Sequence, residues 1–296
     1  MKFRHLTLDD REAIARIVSA SGYEGEDYVF SCMFLLSEVE EHYVMTLYDH
    51  LAIVKFKFEN CTQYLPICRP EDACQVISLI REDCQESGHP LMITYIEERL
   101  AQAIEKAYPQ QFTIRPMGRY DDYIYAIKDM AEMYGTSNRF KRQWVNRFEK
   151  TYSDYRLDSV TTENLHLCST VLDRWIEMKK QHARFLDDLD LNLCRKAIEQ
   201  FSTLQLSGKL LMVGNEPVSF MIYDYIRPNM VVGLFEKTDY TFLGAARMLE
   251  HSCAIEWAKE GVEWFNYGDD NFSEALKQTK KNLHPSRMIV KFEVVE

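Results

Sequence analysis

The order of apolar and polar positions predicts alternating strands and helices in the first half of the chain. Runs rich in β-branched and aromatic residues predict strands at 43–49, 51–58, 62–67 and 91–96. The runs FTIRPM and DYIYAI predict two more, and the second ends near Ile127. Apolar residues at helical spacing predict helices at 7–20, 71–85 and 97–108.

The second half shows the same order after a helical opening. Helical spacing recurs at 169–185 and 191–204, and the segment 209–237 then reads as three antiparallel strands joined by two tight turns. A helix at 242–259, a strand at 263–267, a helix at 273–281 and a last strand at 287–295 follow. Both halves therefore predict the order β-β-β-α-β-α-β.

This element order is similar to that of the GNAT acyltransferase fold, which by itself says nothing about activity. It predicts an α/β (α+β) protein of two tandem GNAT-like domains. Each domain would be a mixed, mostly antiparallel sheet flanked by helices. We expect an N-terminal domain at 1–134, a basic linking helix at 135–152 and a C-terminal domain at 153–296.

The charge is unevenly distributed between the halves. Residues 1–135 carry 13 Lys and Arg against 23 Asp and Glu, whereas residues 136–296 carry 22 against 23. The net charge of −11 argues against broad nucleic-acid binding by the whole surface, and we expect no DNA partner. An anionic ligand is expected on the second half instead.

Several classes of protein and site are disfavoured by the pattern of residues. The eight cysteines include no Cys-x-x-Cys pair, and the eight histidines form no pair at metal-ligand spacing, so we expect no metal site. The start MKFRHLTLDDREA has no apolar core of a secretory signal, and no apolar run is long enough to span a membrane. These features favour a cytoplasmic protein with reduced thiols.

The segment 135–150 has five basic residues and one acid. Phe140, Trp144 and Phe148 are spaced to share one face of a helix. One interpretation is a helix that contacts phosphates of a tRNA acceptor end or of a cofactor diphosphate. The other is a solvated linker whose arginines pair with the acidic first half. The candidate ligand-binding residues here are Arg139, Lys141, Arg142 and Asn146.

The end of the third strand in the second half carries a second candidate group. Glu236 could accept a proton from an attacking amine, or it could form an ion pair with Lys237 or another neighbour. Gly244 opens the next helix, where free N–H groups could bind a phosphate of acyl-CoA. It could equally be needed for close packing between this helix and a strand.

The stretch NYGDDNFSEALKQTKKNLHP, 266–285, contains a third group. Asn271 and Glu274 are spaced as a capping box, and Asp269 and Asp270 would lie at the positive end of the helix. Capping explains much of the charge pattern, but it does not require Asn266 or Lys280.

Three motifs together resemble the phosphatidylglycerol lysyltransferase C-terminal-like family. The first runs from Tyr123 and Tyr125 through Gly135 and Lys141-Arg142 to Asn146 and Phe148, and the second is FEKTD at 235–239. The third places five residues of the last stretch in register with the family pattern: Asn266, Asp270, Leu276, Lys280 and Pro285. Lys277 stands where the family has Arg.

The resemblance implies a tandem GNAT-like acyltransferase whose best-known relatives move an aminoacyl group from charged tRNA to a lipid. The first hypothesis is therefore an acyl- or aminoacyl-transferase that uses acyl-CoA or aminoacyl-tRNA as donor. Glu236 or Asp270 would be the base. The expected donor-binding residues are Arg139, Lys141, Arg142, Asn146, Lys237, Gly244, Asn266, Lys277 and Lys280.

The second hypothesis is a binding module that kept the tandem fold and lost catalysis. Two departures favour it. Thr241 lies in the loop before Gly244, where GNAT enzymes that bind acetyl-CoA have a cation or an amide, and Gly268 stands where the lysyltransferase family has Glu. The sequence does not identify the donor, the acceptor or the oligomeric state.

Overall fold

The computed structural model describes residues 1–58, 60–181, 187–271 and 273–296. In the first 116 residues the helices are α1 (Arg11–Ser21), α2 (Phe30–Val39), α3 (Ala73–Ser87) and α4 (Glu98–Ala107). The strands in that stretch are β1 (Val44–Leu47), β2 (Ala52–Phe58), β3 (Cys61–Ile67), β4 (Met92–Glu97) and β5 (Thr113–Pro116).

The remaining helices and strands also follow chain order. The helices are α5 (Ile127–Glu132), α6 (Arg139–Thr151), α7 (Leu165–Gln181), α8 (Asp188–Glu199), α9 (Ala245–Lys259) and α10 (Glu274–Asn282). The strands are β6 (Asp122–Ala126), β7 (Tyr155–Ser159), β8 (Ser207–Val213), β9 (Glu216–Arg227), β10 (Met230–Thr238), β11 (Trp264–Asn266), β12 (Arg287–Ile289) and β13 (Lys291–Val295).

Two mixed sheets organise the chain, which confirms the predicted fold class. The first has the order β1-β2-β3-β4-β13-β5 and the second β12-β6-β11-β10-β9-β8-β7. In the first sheet β3 and β4 run parallel, and in the second β10 and β11 run parallel. The other pairings with a resolved register are antiparallel.

Each sheet takes one strand from the other half of the sequence. Strand β6, from the end of the first half, pairs with β11 in the second sheet. Strand β13, at the end of the chain, lies between β4 and β5 in the first sheet. The predicted last strand, 287–295, is therefore broken in two at residue 290, because its two parts belong to different sheets.

The chain forms two compact units that are not continuous in sequence. Unit 1 comprises Met1–Asp122, Gly268–Leu276 and Met288–Glu296, and unit 2 comprises Tyr123–Tyr267 and Lys277–Arg287. The expected linking helix, now α6, lies within unit 2. The domain bounds expected from the sequence, 1–134, 135–152 and 153–296, stay a prediction.

Local structure differs from the sequence predictions at several places. Helices α2 and α5 and strand β7 were not predicted. Helix α7 is described as far as Gln181, and its predicted end at 185 lies outside the described residues. Within the described ranges, no helix combines the length and apolar character needed to cross a bilayer.

Candidate functional site

Glu236 reaches its position through an irregularity in β10. The pairing of β10 with β9 shifts between Gly233 and Phe235, where Leu234 is the additional residue. Such a bulge changes the direction of the side chains that follow it. Beyond the bulge Glu236 is half-buried and Lys237 is buried.

Tyr267 connects Glu236 to a second carboxyl group. Its hydroxyl oxygen lies 2.5 Å from Oε2 of Glu236 and 2.9 Å from Oε1 of Glu250. Glu250 also forms an ion pair with Arg247, one turn earlier in α9, at 2.7 Å. We call Glu236, Arg247, Glu250 and Tyr267 the Tyr267 cluster. All four residues belong to unit 2.

The surroundings of the Tyr267 cluster favour a protonated Glu236. Burial and, next, the charge of Glu250 raise the pKa of Glu236 to about 8. Burial also raises the pKa of Glu250, but Arg247 opposes this effect. The pKa of Tyr267 is raised well above its usual range by burial and by the two carboxylates. One proton shared near neutral pH therefore belongs on Glu236.

The number of protons available for the hydrogen bonds of Tyr267 also indicates that Glu236 is protonated. Two hydrogen bonds join the three oxygens, but the hydroxyl of Tyr267 supplies one proton only. If Tyr267 donates to Glu250, its oxygen can accept a bond from a protonated Glu236. With both carboxyls ionised, they would compete for one donor, so ionised Glu236 is a stronger base than an isolated carboxylate.

A small cavity of about 20 Å³ lies beside the cluster, with room for a single water molecule. It is lined by Lys141 of α6 together with Arg247, Glu250 and Tyr267. Lys141 is 7% exposed. Burial lowers the pKa of its ammonium group, and the charge of Glu250 opposes that shift. A cation of reduced basicity therefore lines the same cavity as the carboxyl group of Glu250.

Lys280 and Asn266 lie in the same unit. Lys280 is buried on α10 and donates a hydrogen bond to the carbonyl oxygen of Tyr267. Its ammonium group lies 4.7 Å from the centre of the Tyr267 ring and 5.7 Å from that of Tyr123. Asn266 is fully buried in β11, next to Tyr267. These two residues therefore support the backbone and the ring of Tyr267.

Lys237 and Gly244 have structural partners. Lys237 donates a hydrogen bond to Asp190 at 2.9 Å and lies over the ring of Trp175. Its ion-pair partner is therefore Asp190, and not Glu236 as in one of the two interpretations of the sequence. Gly244 has φ +93°, and a Cβ there would lie 2.7 Å from the carbonyl oxygen of Trp144. Gly244 thus allows close packing of α9 against helix α6, rather than against a strand.

Helix α6 buries a different face from the one predicted. Lys141, Val145 and Phe148 are its buried residues. Phe140, by contrast, is 51% exposed, and Trp144 is half-buried. Val145 and Phe148 pack in the core, so their face of the helix turns inward. Phe140 lies about 100° around the helix axis from the centre of that face.

The four candidate ligand-binding residues of α6 have different environments. Arg142 donates to the carbonyl oxygen of Met133 and, at 2.8 Å, to that of Gly135, so it supports the turn that follows α5. Arg139 and Asn146 are exposed. Lys277 is half-buried on α10, in the same unit. The roles of Lys277 and of the four candidates on α6 in binding a donor stay predictions.

Asp270 belongs to unit 1, whereas Glu236 belongs to unit 2. Asp270 is buried, and its carbonyl oxygen accepts a hydrogen bond from the N–H of Ser273.

The predicted capping box at Asn271 was wrong. Helix α10 begins at Glu274, and the hydroxyl of Ser273 accepts the N–H of Leu276, because Asn271 has a left-handed conformation with φ +44°.

A buried charge cluster in unit 1 was not predicted from the sequence. Lys291 is 1% exposed and lies 2.5 Å from Asp27, 2.6 Å from Asp122 and 3.7 Å from Glu26. Burial opposes the charge of Lys291, but the carboxylates, Asp122 first, hold its pKa well above the usual range. Burial raises the pKa of Asp27 to about 6, although Lys291 opposes it. We call these four residues the Lys291 cluster.

Gly268 lies against this cluster. Its φ is +66°, and a Cβ at this position would clash with the carboxylate of Glu26. The N–H of Asp269 donates to the same carboxylate at 3.4 Å. A side chain at position 268 would therefore require the carboxylate of Glu26 to move, in a backbone conformation that favours glycine.

No set of three or more His, Cys, Asp or Glu side chains is arranged to hold a metal ion in the part of the chain that the structure describes. In unit 2 the structure brings together a carboxyl group with a raised pKa, a tyrosine hydroxyl and nearby cations. Such a group can take up and release a proton near neutral pH.

A family model described as phosphatidylglycerol lysyltransferase, C-terminal, matches residues 20–290. The fold is similar to that of a conserved protein of unknown function from Bacteroides thetaiotaomicron, which is 22% identical with a TM-score of 0.92 and coverage of 100% of this chain and 99% of the other. L-PGS from Bacillus licheniformis is 14% identical, with a TM-score of 0.68 and coverage of 97% and 92%.

FemX shares the fold as well, at 10% identity, a TM-score of 0.64 and coverage of 99% and 97%. No sequence among the curated proteins matches the chain significantly. At these identities, the structural matches establish the fold alone.

Proposed function

Because the chain belongs to the phosphatidylglycerol lysyltransferase C-terminal family, we propose that it transfers an aminoacyl group from an aminoacyl-tRNA to an amine or hydroxyl acceptor. The observation that carries this proposal is the Tyr267 cluster, in which Glu236 has a pKa of about 8. A general base is most effective when its pKa lies near the working pH.

The reaction is the attack of the acceptor on the ester carbonyl. The acceptor nitrogen or oxygen forms a bond to the carbonyl carbon, and Glu236 takes the proton that the acceptor loses. The bond between that carbon and the ribose oxygen of the RNA then breaks, and the oxygen takes the proton that Glu236 had accepted, so that the free hydroxyl and ionised Glu236 are restored. Lys141 and Lys280 are the nearby cations that would favour an RNA donor or a developing negative charge.

The Tyr267 cluster supports the role of Glu236 as a base in two ways. Ionised Glu236 would face ionised Glu250 across one hydroxyl, so it would accept a proton readily. Arg247 would hold Glu250 in the ionised form while Glu236 changes charge. Asp270 is the second candidate base in this proposal, and Lys277 a further donor-binding cation.

The test is an aminoacyl-transfer assay with purified protein. A pool of charged tRNA carrying labelled amino acids is incubated with phosphatidylglycerol micelles or with a small primary amine, and acyl-CoA serves as the alternative donor. We expect transfer from charged tRNA, and Glu236→Gln should lower the rate by about 10²- to 10⁴-fold. Glu177→Gln, an exposed residue of α7, is the matched control and should leave the rate unchanged.

The pH profile provides a second readout. The rate should rise about tenfold per pH unit below pH 8 and level off above it, because ionised Glu236 is the active form. The proposal fails if folded protein transfers nothing from either donor to either acceptor. It also fails if Glu236→Gln retains the full rate and the same pH profile.

A binding module without catalysis is the second candidate. It is favoured because two of the cations expected to bind the donor already have partners within the protein. Arg142 binds backbone carbonyl oxygens, and Lys237 binds Asp190. This function predicts saturable binding of tRNA or a CoA thioester with no turnover, and no effect of Glu236→Gln on affinity.

A further inference from the structure

Helix α6 carries a stripe of side chains that consists of an exposed ring, a half-buried ring and an exposed cation. Phe140, Trp144 and Arg147 are spaced i, i+4 and i+7, so they lie along one side of the helix. The Phe140 and Trp144 ring centres are 6.0 Å apart, and the guanidinium group of Arg147 lies 5.5 Å from the centre of the Trp144 ring.

A second stripe of polar side chains runs beside the first. Arg139, Gln143 and Lys150 are exposed on the adjoining side of α6. The one acid of this helix, Glu149, lies on the opposite flank and accepts a hydrogen bond from Tyr155 at 3.2 Å. The exposed side of α6 is therefore cationic in a protein whose net charge is −11.

Packing of the helix does not account for the aromatic stripe. The core-facing side of α6 is already supplied by Lys141, Val145 and Phe148. A helix that lies on a membrane separates its apolar and charged faces. In α6, by contrast, a cation stacks on the half-buried ring of Trp144, and further cations adjoin it.

We propose that this outer side of α6 (Arg139, Phe140, Gln143, Trp144, Arg147 and Lys150) is a surface that binds single-stranded RNA. Aromatic rings and guanidinium planes stack on unpaired bases, and basic side chains contact the phosphates between them. The inference rests on the proposed function, since the RNA would be the single-stranded end of the aminoacyl donor.

The position of the surface in unit 2 suits this role. Lys141 directly follows Phe140 in α6 and lines the cavity beside the Tyr267 cluster. The backbone of Trp144 lies against Gly244, three residues before Arg247 of that cluster. The proposed surface therefore lies on the same helix as a residue that lines the cavity beside the Tyr267 cluster.

The experiment measures binding of a fluorescein-labelled, uncharged single-stranded RNA of about eight nucleotides, within the usual size of such sites, by anisotropy. The variant Phe140→Ala/Trp144→Ala should weaken binding by about tenfold or more, because each lost stack is worth about 1–3 kcal/mol. Phe58→Ala, an exposed aromatic residue of unit 1, is the matched control and should bind like the parent protein.

The charged residues require a salt titration. Arg139→Gln/Arg147→Gln should reduce the slope of log K against log salt by about 0.7 per lost phosphate contact. Lys106→Gln/Lys259→Gln removes two exposed cations elsewhere and should not change the slope. Circular dichroism spectra of all variants check that each protein is folded.

Three outcomes would overturn this inference. The first is absence of RNA binding by the parent protein, and the second is an unchanged affinity in the Phe140→Ala/Trp144→Ala variant. The third is loss of binding to anionic vesicles in that variant while RNA binding persists, which would make the surface a membrane contact. Because the probe carries no amino acid, failure of the transfer assay with intact RNA binding would reject the proposed function alone.

Discussion

The hydroxyl of Tyr267 lies 2.5 Å from the carboxyl group of Glu236 and 2.9 Å from that of Glu250. The hydroxyl of Tyr267 thus forms hydrogen bonds with two carboxyl groups. Of the two, Glu250 alone has Arg247 as an ion-pair partner. Because of this difference in partners, Glu250 ionises more readily than Glu236, and the pKa of each group can be measured.

Substitutions at Tyr267 and at Glu250 should move the pKa of Glu236 in opposite directions. When Glu236 is ionised, the hydroxyl of Tyr267 can donate to it, and this charge-assisted bond is stronger than the bond that it accepts from protonated Glu236. Tyr267→Phe should therefore raise the pKa of Glu236. Glu250→Gln removes a neighbouring negative charge, so the pKa of Glu236 should fall. The measurement is a carbon-13 NMR titration of labelled glutamate side chains, and Glu177→Gln should leave the Glu236 signal unchanged. Movement in the same direction in both variants would contradict the arrangement.

Glu236 should also make stability depend on pH. Its pKa of about 8 lies above the ordinary value of 4.5, so the folded state holds a proton that the unfolded state loses. The resulting stabilisation is complete below the unfolded pKa, near 4.5, and is lost as pH rises through about 8. Glu236→Gln should therefore flatten the decline in the free energy of unfolding between pH 5 and pH 9. Urea unfolding at several pH values tests this, and an equal decline in the variant would exclude the assignment.

The Lys291 cluster should tolerate loss of its cation poorly. Lys291→Met would leave Glu26, Asp27 and Asp122 buried without their ammonium partner, which should cost about 3–5 kcal/mol of unfolding free energy at pH 7. The deficit should shrink at pH 5, because the pKa of Asp27 is about 6 and the carboxyl then becomes neutral.

Urea unfolding of two further variants controls the Lys291 experiment. Lys106→Met changes an exposed lysine of α4 and should have an effect within about 0.5 kcal/mol. Lys291→Met/Asp122→Asn should be more stable than Lys291→Met alone, since one buried negative charge is gone. A deficit that is the same at pH 5 and pH 7 would show that lost packing, not charge, causes it.

The local pattern of residues was enough to predict most elements but not their pairing. Strands β6 and β13 were visible as apolar runs, yet each pairs with a partner from the other half of the chain. Periodicity reports which face of a strand is buried and carries no information about its neighbour. The broken last strand and the discontinuous units follow from that missing information.

The same distinction applies to the candidate site. Motifs singled out Glu236, Asn266 and Lys280 in unit 2, and their roles in catalysis stay proposals. Tyr267 was missed although it directly follows Asn266, because tyrosine is a common core residue and its two partners lie 31 and 17 positions away. Lys291 could have been noticed as the charge inside the apolar run MIVKFEVV.

The last prediction concerns the contact between Gly244 and α6. An alanine Cβ at 244 would lie 2.7 Å from the carbonyl oxygen of Trp144 and 3.2 Å from Cβ of Phe148, in a backbone with φ +93°. The substitution therefore combines backbone strain with overlap against a fixed carbonyl group, and it should destabilise the protein by about 2–4 kcal/mol.

Gly261→Ala separates these two contributions. Gly261 has a similar φ of +84°, but a Cβ there would meet nothing within 4 Å. It should therefore cost about 1 kcal/mol from backbone strain alone. Thermal or urea unfolding of both variants gives the difference, which measures the packing of α9 against α6. Equal losses in the two variants would mean that α6 moves away freely, and that Gly244 is not required for its position.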